Sequence, residues 1–172
     1  MCLSVGQKGI EVLDSGMDMM EQTTETGGFC TGEYVHTLDP KRRLTIPSEW
    51  REIVGDPRQL YVMPGVGAKC LSLYRVPDFK SKLDRLREHS IADVQARRMA
   101  RILGSRSAFL SWDSAGRIRI KDDLLDYAGL SRKVVLVGAL DRIELWSPEE
   151  WDVVDSEGGE VSLEEAVRYV KL

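Results

Sequence analysis

Hydrophobic and polar positions follow two rhythms along this chain. From Gly32 the text is strand-like: Tyr34-Val35-His36-Thr37-Leu38, then a turn, then Arg43-Leu44-Thr45-Ile46. Leu44 and Ile46 alternate with Arg43 and Thr45, a period of two that buries one face and leaves the other polar. Pro47-Ser48-Glu49-Trp50-Arg51 carries the marks of a helix start, and Gly55 is placed to end that helix. Leu60-Tyr61-Val62-Met63 and Leu71-Ser72-Leu73-Tyr74 flank Pro64-Gly65-Val66-Gly67, which predicts a hairpin. Residues 78–103 change to helical spacing, with Phe79, Leu83, Leu86, Met99, Ile102 and Leu103 as apolar positions. A break near His89-Ser90 predicts two helices there. Beyond them strand, turn, strand, short helix and hairpin return, ending at Trp146. Ser147-Pro148-Glu149-Glu150-Trp151 predicts another helix start, Gly158-Gly159 a hinge, and Ser162 to Lys171 a last amphipathic helix. Residues 1–28 hold no period and read as a flexible tail; Met17, Met19 and Met20 leave open a biological start further in.

The return of the pattern is a repeat. Asp39 and Asp113 are 74 residues apart, as are Arg43 and Arg117, and Gly55 and Gly129. Leu60-Tyr61-Val62-Met63 matches Val134-Val135-Leu136-Val137. Leu71-Ser72-Leu73-Tyr74 matches Ile143-Glu144-Leu145-Trp146 at an offset of 72, so a slip of two residues in one hairpin loop is expected. Register held through strands and turns means that one structural unit was duplicated. A half of about fifty residues is small, and pairing with its twin gives it a shared core.

Composition changes this picture little, but charge changes it a good deal. At 172 residues, with 42% hydrophobic and 30% charged positions, the chain suits one domain or two small packed halves. No apolar run approaches the roughly 20 residues that cross a bilayer, and the acidic N-terminus does not read as a signal peptide. Cys2, Cys30 and Cys70 are odd in number and far apart, which argues for a reducing cytoplasm rather than a disulfide framework. The net charge of −4 divides unevenly: residues 1–35 balance at −5, residues 144–172 at −7, and the repeated body between them at +8. A basic body with acid at both ends is compatible with DNA, because phosphate binding responds to the local field.

Enzyme readings find no support. The two histidines, His36 and His89, have no metal-binding spacing with the cysteines, so neither a metal nor another cofactor is expected. No glycine-rich phosphate loop and no nucleophile elbow is present. Cys70 reads as a small packing residue, His36 as structural or surface, and Asp122 and Asp123 as the acidic start of a helix.

The turn Asp39-Pro40-Lys41-Arg42-Arg43 stands apart. Aspartate at the head of a tight turn can accept from the amides two and three residues on, fixing the loop and turning the next side chains outward. Lys41, Arg42 and Arg43 would then be three cations on a rigid tip suited to phosphate and groove contacts. The alternative is that Arg43 pairs with Asp39 to lock the turn. The second copy adds only Arg119 and Lys121 to Asp113 and Arg117, and is expected to be mainly structural.

Strand, D-x-x-x-R, apolar strand, proline and short helix together resemble the swapped-hairpin SpoVT/AbrB-type DNA-binding domain. Two tandem copies around an arginine-bearing helical segment resemble the MraZ family of bacterial transcriptional regulators. The matching residues are Gly32-Glu33-Tyr34, His36-Thr37-Leu38-Asp39, Arg43-Leu44, Ile46-Pro47, Ala96-Arg97 and Arg101. Asp113, Gly116-Arg117-Ile118, Tyr127-Ala128-Gly129-Leu130, Val134 to Gly138 and Arg142 to Trp146 continue the match, which spans roughly residues 30–152. The implied fold is α+β: two tandem swapped-hairpin AbrB-like halves forming one pseudo-two-fold core, joined and flanked by helices. The expected organisation is an acidic N-terminal tail over 1–29, a first repeat over 30–77 and a basic helical connector over 78–106. A second repeat over 107–152 and an acidic helical tail over 153–172 complete it.

The resemblance implies a cytoplasmic, nucleoid-associated repressor that binds double-stranded promoter repeats of its own cell-division and cell-wall gene cluster. It also implies a ring-shaped homo-oligomer presenting its D-x-x-x-R loops, with no membrane and no small-molecule partner. The expected DNA-binding residues are Lys41, Arg42, Arg43, Arg117 and Arg119, with Asp39 and Asp113 structuring the loops. The competing expectation is a self-assembling scaffold or antitoxin-like module without specific DNA binding. The chain departs from the family in carrying Arg42 where glycine precedes the first motif arginine, while Gly116 is kept in the second copy. If that position needs a positive φ, Arg42 is strained. Lys121 stands where the first copy has Pro47, and the long acidic N-terminal tail is unexpected.

Overall fold

The computed structural model describes residues 28–55, 58–87, 93–158 and 163–170. The first repeat folds as β1 (Glu33–Thr37), β2 (Arg43–Thr45), α1 (Ser48–Val54), β3 (Gln59–Pro64) and β4 (Cys70–Arg75). Two helices follow, α2 (Val76–Arg87) and α3 (Val94–Ser105). The second repeat is β5 (Ala108–Ser111), β6 (Arg117–Arg119), α4 (Asp122–Tyr127), β7 (Lys133–Gly138) and β8 (Ile143–Trp146). Helices α5 (Pro148–Gly158) and α6 (Leu163–Val170) close the described chain. The expected N-terminal tail, up to residue 27, and the break at His89-Ser90 lie outside the described residues. Gly158 is the last residue of α5, and its expected hinge partner Gly159 is outside them too.

Strands of the two repeats interleave in one antiparallel sheet of order β1-β7-β8-β4-β3-β5. Strand β1 of the first repeat pairs with β7 of the second, and β5 of the second pairs with β3 of the first. Each repeat thus lends its first strand to the other, which is the swapped-hairpin α+β fold. The order reads the same from either edge once the two repeats are exchanged, so a pseudo-two-fold axis passes between β4 and β8. The expected slip is visible in the hairpins. Met63 faces Ser72 and Val137 faces Glu144, so the second hairpin is two residues shorter.

Above the sheet, β2 and β6 form a separate two-stranded ribbon with Leu44 opposite Ile118. Both residues are fully buried, and with Ile46, Trp50, Leu71, Leu73, Ile120, Leu125, Leu136 and Leu145 they make the main core between ribbon, α1, α4 and sheet. Burying each such aliphatic side chain contributes roughly 1.5–3 kcal/mol. Helix α1 begins at Ser48 behind Pro47 and ends on Gly55 at φ 66, as its start and stop signals predict. Trp50 anchors that helix: its indole N–H donates to the Thr31 carbonyl (3.1 Å) and its ring meets Tyr34 edge-on.

The opposite sheet face holds Cys70, Val135 and Trp146 under Trp151 of α5, and Tyr61 under Phe79 of α2. Cys70 is a packing residue, as its alternation with Leu71 and Leu73 predicts, and burial pushes its thiol up to about 12. The apolar positions of α3 behave differently. None is buried, and Val94, Met99 and Ile102 are all exposed.

Candidate nucleic-acid interface

The β2–β6 ribbon has one dry face and one wet face. Leu44 and Ile118 face the core; Arg43, Thr45, Arg117 and Arg119 face out. At each end of this outer face a D-x-x-x-R turn folds over, the first leading into β2 and the second into β6. The turns are built alike. Asp39 Oδ1 accepts from the amides of Lys41 (2.8 Å) and Arg43 (2.9 Å), and Asp113 Oδ1 from those of Ala115 (2.9 Å) and Arg117 (3.1 Å). The amides lie two and four residues on, rather than two and three, because the third donates to the aspartate's own carbonyl. Arg42 N bonds Asp39 O and Gly116 N bonds Asp113 O, both at 2.9 Å. That tight closure requires a left-handed third position, with φ 60 at Arg42 and φ 73 at Gly116. The strain expected at Arg42 is therefore present.

The motif arginines do not point freely outward. Arg43 Nε and Nη2 both lie 2.7 Å from Asp39 Oδ2, and Arg43 Nη1 lies 3.7 Å from Asp113 Oδ2. Arg117 holds Asp113 Oδ2 through Nε (2.9 Å) and Nη2 (2.7 Å). Two aspartates and two arginines, one of each from either repeat, thus form a single alternating cluster astride the pseudo-axis. The reading in which Arg43 pairs with Asp39 describes this geometry, and the second turn is made the same way. Hydrogen bonds from the Arg117 side chain, then from its amide, pull the Asp113 carboxyl down to about 2. Partial desolvation opposes the same effect at Asp39, but the bonds from Arg43 and Lys41 prevail and its carboxyl also lies below the usual range. The hydrogen-bonded Asp113 carboxylate in turn raises Arg117.

Three of the five cations named from sequence remain open to solvent: Lys41, Arg42 and Arg119. Arg42 reaches across to Asp122 at the start of α4 (3.3 Å), with both side chains more than half exposed. Register places Arg119 opposite Arg43 on the ribbon, so the cations of both repeats share one surface. His36 ties the edge strand to this ribbon, its Nδ1 donating to the Thr45 carbonyl (2.7 Å).

One basic residue near the turns was not singled out in the sequence. Arg51 of α1 lies against Gly116, where an added Cβ would sit 2.6 Å from its Cζ and Nη1. The repeat itself carries the signal. At an offset of 74, Arg51 matches Leu125, which is buried in the core, so a charge stands where the twin has a packing residue. Among the described residues no group of His, Cys, Asp and Glu could hold a metal ion, and no helix is long and apolar enough to cross a membrane.

Comparison with known proteins agrees with this architecture. The family model described as "MraZ protein, putative antitoxin-like" matches residues 107–169. A transcriptional regulator MraZ of Dictyoglomus thermophilum is 36% identical over 126 residues, covering 73% of this chain and 84% of that protein. A protein of the same name from Alkaliphilus metalliredigens is 35% identical over 120 residues, covering 70% and 82%. One from Thermomicrobium roseum is 33% identical over the same coverage. Likeness at this level along most of both chains places the protein: it belongs to the MraZ family of transcriptional regulators.

Proposed function

We propose that the protein is a sequence-specific DNA-binding repressor, acting in the cytoplasm on repeated promoter sites upstream of its own cell-division and cell-wall gene cluster. One observation carries the reading. The outer face of the β2–β6 ribbon and its two braced turns gather Lys41, Arg42, Arg43, Arg117 and Arg119 on one surface. The major groove of B-DNA is wide enough, at about 12 Å, for a two-stranded ribbon. Within that surface the residues divide their work. Asp39 and Asp113 stiffen the turns, so little loop entropy is lost on binding. Lys41, Arg42 and Arg119 are the open cations for phosphate and base edges. Arg43 and Arg117 hold the cluster and present their remaining N–H donors from it.

Several such surfaces on a ring-shaped homo-oligomer would engage spaced repeats by effective concentration, without any single tight contact. Helix α3 supports self-association, since its apolar residues Val94, Met99 and Ile102 are uncovered in the single chain. The same exposure favours a second reading, a self-assembling module without specific DNA binding. Fluorescence anisotropy separates the two. DNA from upstream of the protein's own gene is compared with a scrambled duplex across a salt series. The repressor reading expects selective binding with a log–log salt slope of about −0.9 per phosphate contacted. Equal binding to both duplexes, or none with the oligomer intact, would leave the scaffold standing.

A further inference from the structure

A cleft of about 300 Å³ opens between α1 and the second turn, with Ser48, Arg51 and Arg58 on one side and Trp112 and Ser114 on the other. We infer that it is a phosphate seat, in which the Arg51 guanidinium supplies to the second turn the cation that Arg42 supplies to the first.

Three observations converge on Arg51. Its Nε is closed off from water and has no hydrogen-bond partner. Leaving a donor on a charged group unsatisfied is costly, so the chain itself does not satisfy this arginine, and with Nε shut off an outside acceptor would meet the rest of the side chain, which lines the cleft. Its guanidinium fills the space a side chain at residue 116 would occupy, lying within 2.8 Å of an ideal Cβ there through Nε, Cζ and Nη1. Gly116 and Arg42 are equivalent across the repeat, so a guanidinium stands beside each turn, one carried by the turn itself and reaching Asp122, the other carried by the helix beneath. Lastly, the twin position Leu125 is a core residue, and packing alone does not call for arginine at 51.

Two carboxylates also line the cleft, Glu52 and Asp113. Asp113 is already bonded to Arg117 and to two turn amides, and neither carboxylate bonds Arg51 among the described residues. Arg51 is therefore the cation facing an entering anion, and the Ser48 hydroxyl is a further donor. A tetrahedral oxyanion with several acceptor oxygens suits such a convergent set of donors. The phosphate can come from the DNA backbone, which rests on the DNA-binding reading above, or from a free phosphate, which does not.

The test uses the full chain and its Arg51→Leu variant, which copies the twin residue, and reads two signals. One is the affinity and salt slope on the promoter duplex. The other is tryptophan fluorescence during titration with inorganic phosphate, with Trp112→Phe identifying the reporter. A backbone seat expects Arg51→Leu to lose about 5-fold in affinity and to flatten the slope by about 0.9. A free-phosphate seat expects a saturable Trp112 signal that Arg51→Leu abolishes. Wild-type DNA binding matched by Arg51→Leu, with no phosphate signal, would overturn the seat and leave the DNA reading intact. No DNA binding by the wild type would sink that reading, and the phosphate titration alone would then decide the seat. Should Arg51→Leu fail to fold, Arg51→Gln, which keeps a long polar side chain without the charge, takes its place with the same two readouts.

Discussion

Replacing Arg42 by glycine should move stability and DNA binding in opposite directions. Arg42 sits at φ 60, where an L-residue costs about 1–2 kcal/mol. Glycine removes that strain. Against it stand the greater freedom of the unfolded chain, about 0.4–1 kcal/mol, and the loss of the solvent-exposed pair with Asp122, about 0.3 kcal/mol. Central values leave Arg42→Gly more stable by about 0.5 kcal/mol, a rise in Tm of about 1–2 °C for a chain of this length. The same change removes one open cation from the turn, so the salt slope on promoter DNA should flatten by about 0.9. Thermal melts and anisotropy on one preparation test both halves. A melting temperature lowered by several degrees would refute the strain argument, and an unchanged slope would take Arg42 off the interface.

Three further outcomes follow from the same geometry. Gly116→Ala places a Cβ against Arg51 and imposes a positive φ on alanine, so it should lose about 1–2 kcal/mol from strain alone, read as a lower denaturant midpoint. Asp113 has its carboxyl depressed to about 2 in the folded chain against an ordinary value of about 4, and Asp39 is lowered too. The stability they contribute is present above pH about 4 and lost as pH falls towards 2, so melts of Asp113→Asn should vary less with pH than wild type over that window. Burial pushes the thiols of Cys30 and Cys70 up to about 11 and about 12, so neither should react with iodoacetamide at pH 8 until the chain unfolds. Their fast alkylation in the native protein would contradict the packing described for both.

The swapped sheet was legible because two independent signals agree on it: period-two strands, and a repeat offset that slips by two residues in a hairpin. What a linear reading cannot supply is direction. The spacing Asp39–Arg43 is consistent with an arginine held in the turn or flung outward; the fold holds it in, at 2.7 Å from Asp39, and Asp113 of the other repeat adds a longer contact at 3.7 Å that no linear reading shows. Helical spacing in α3 likewise marks an apolar side without saying whether anything covers it, and in the single chain nothing among the described residues does. The comparison of each repeat with its twin reaches further than either read alone. Where both copies keep a residue, as at Asp39 and Asp113, the turn itself requires it. Where they differ, the difference marks labour divided between them: Arg42 against Gly116, Arg51 against Leu125. Those two substitutions meet at one place in space, since the glycine makes room for the arginine's guanidinium. A duplicated fold can therefore keep the same charge beside both turns while drawing it from different elements, and in doing so confine the backbone strain to the first turn.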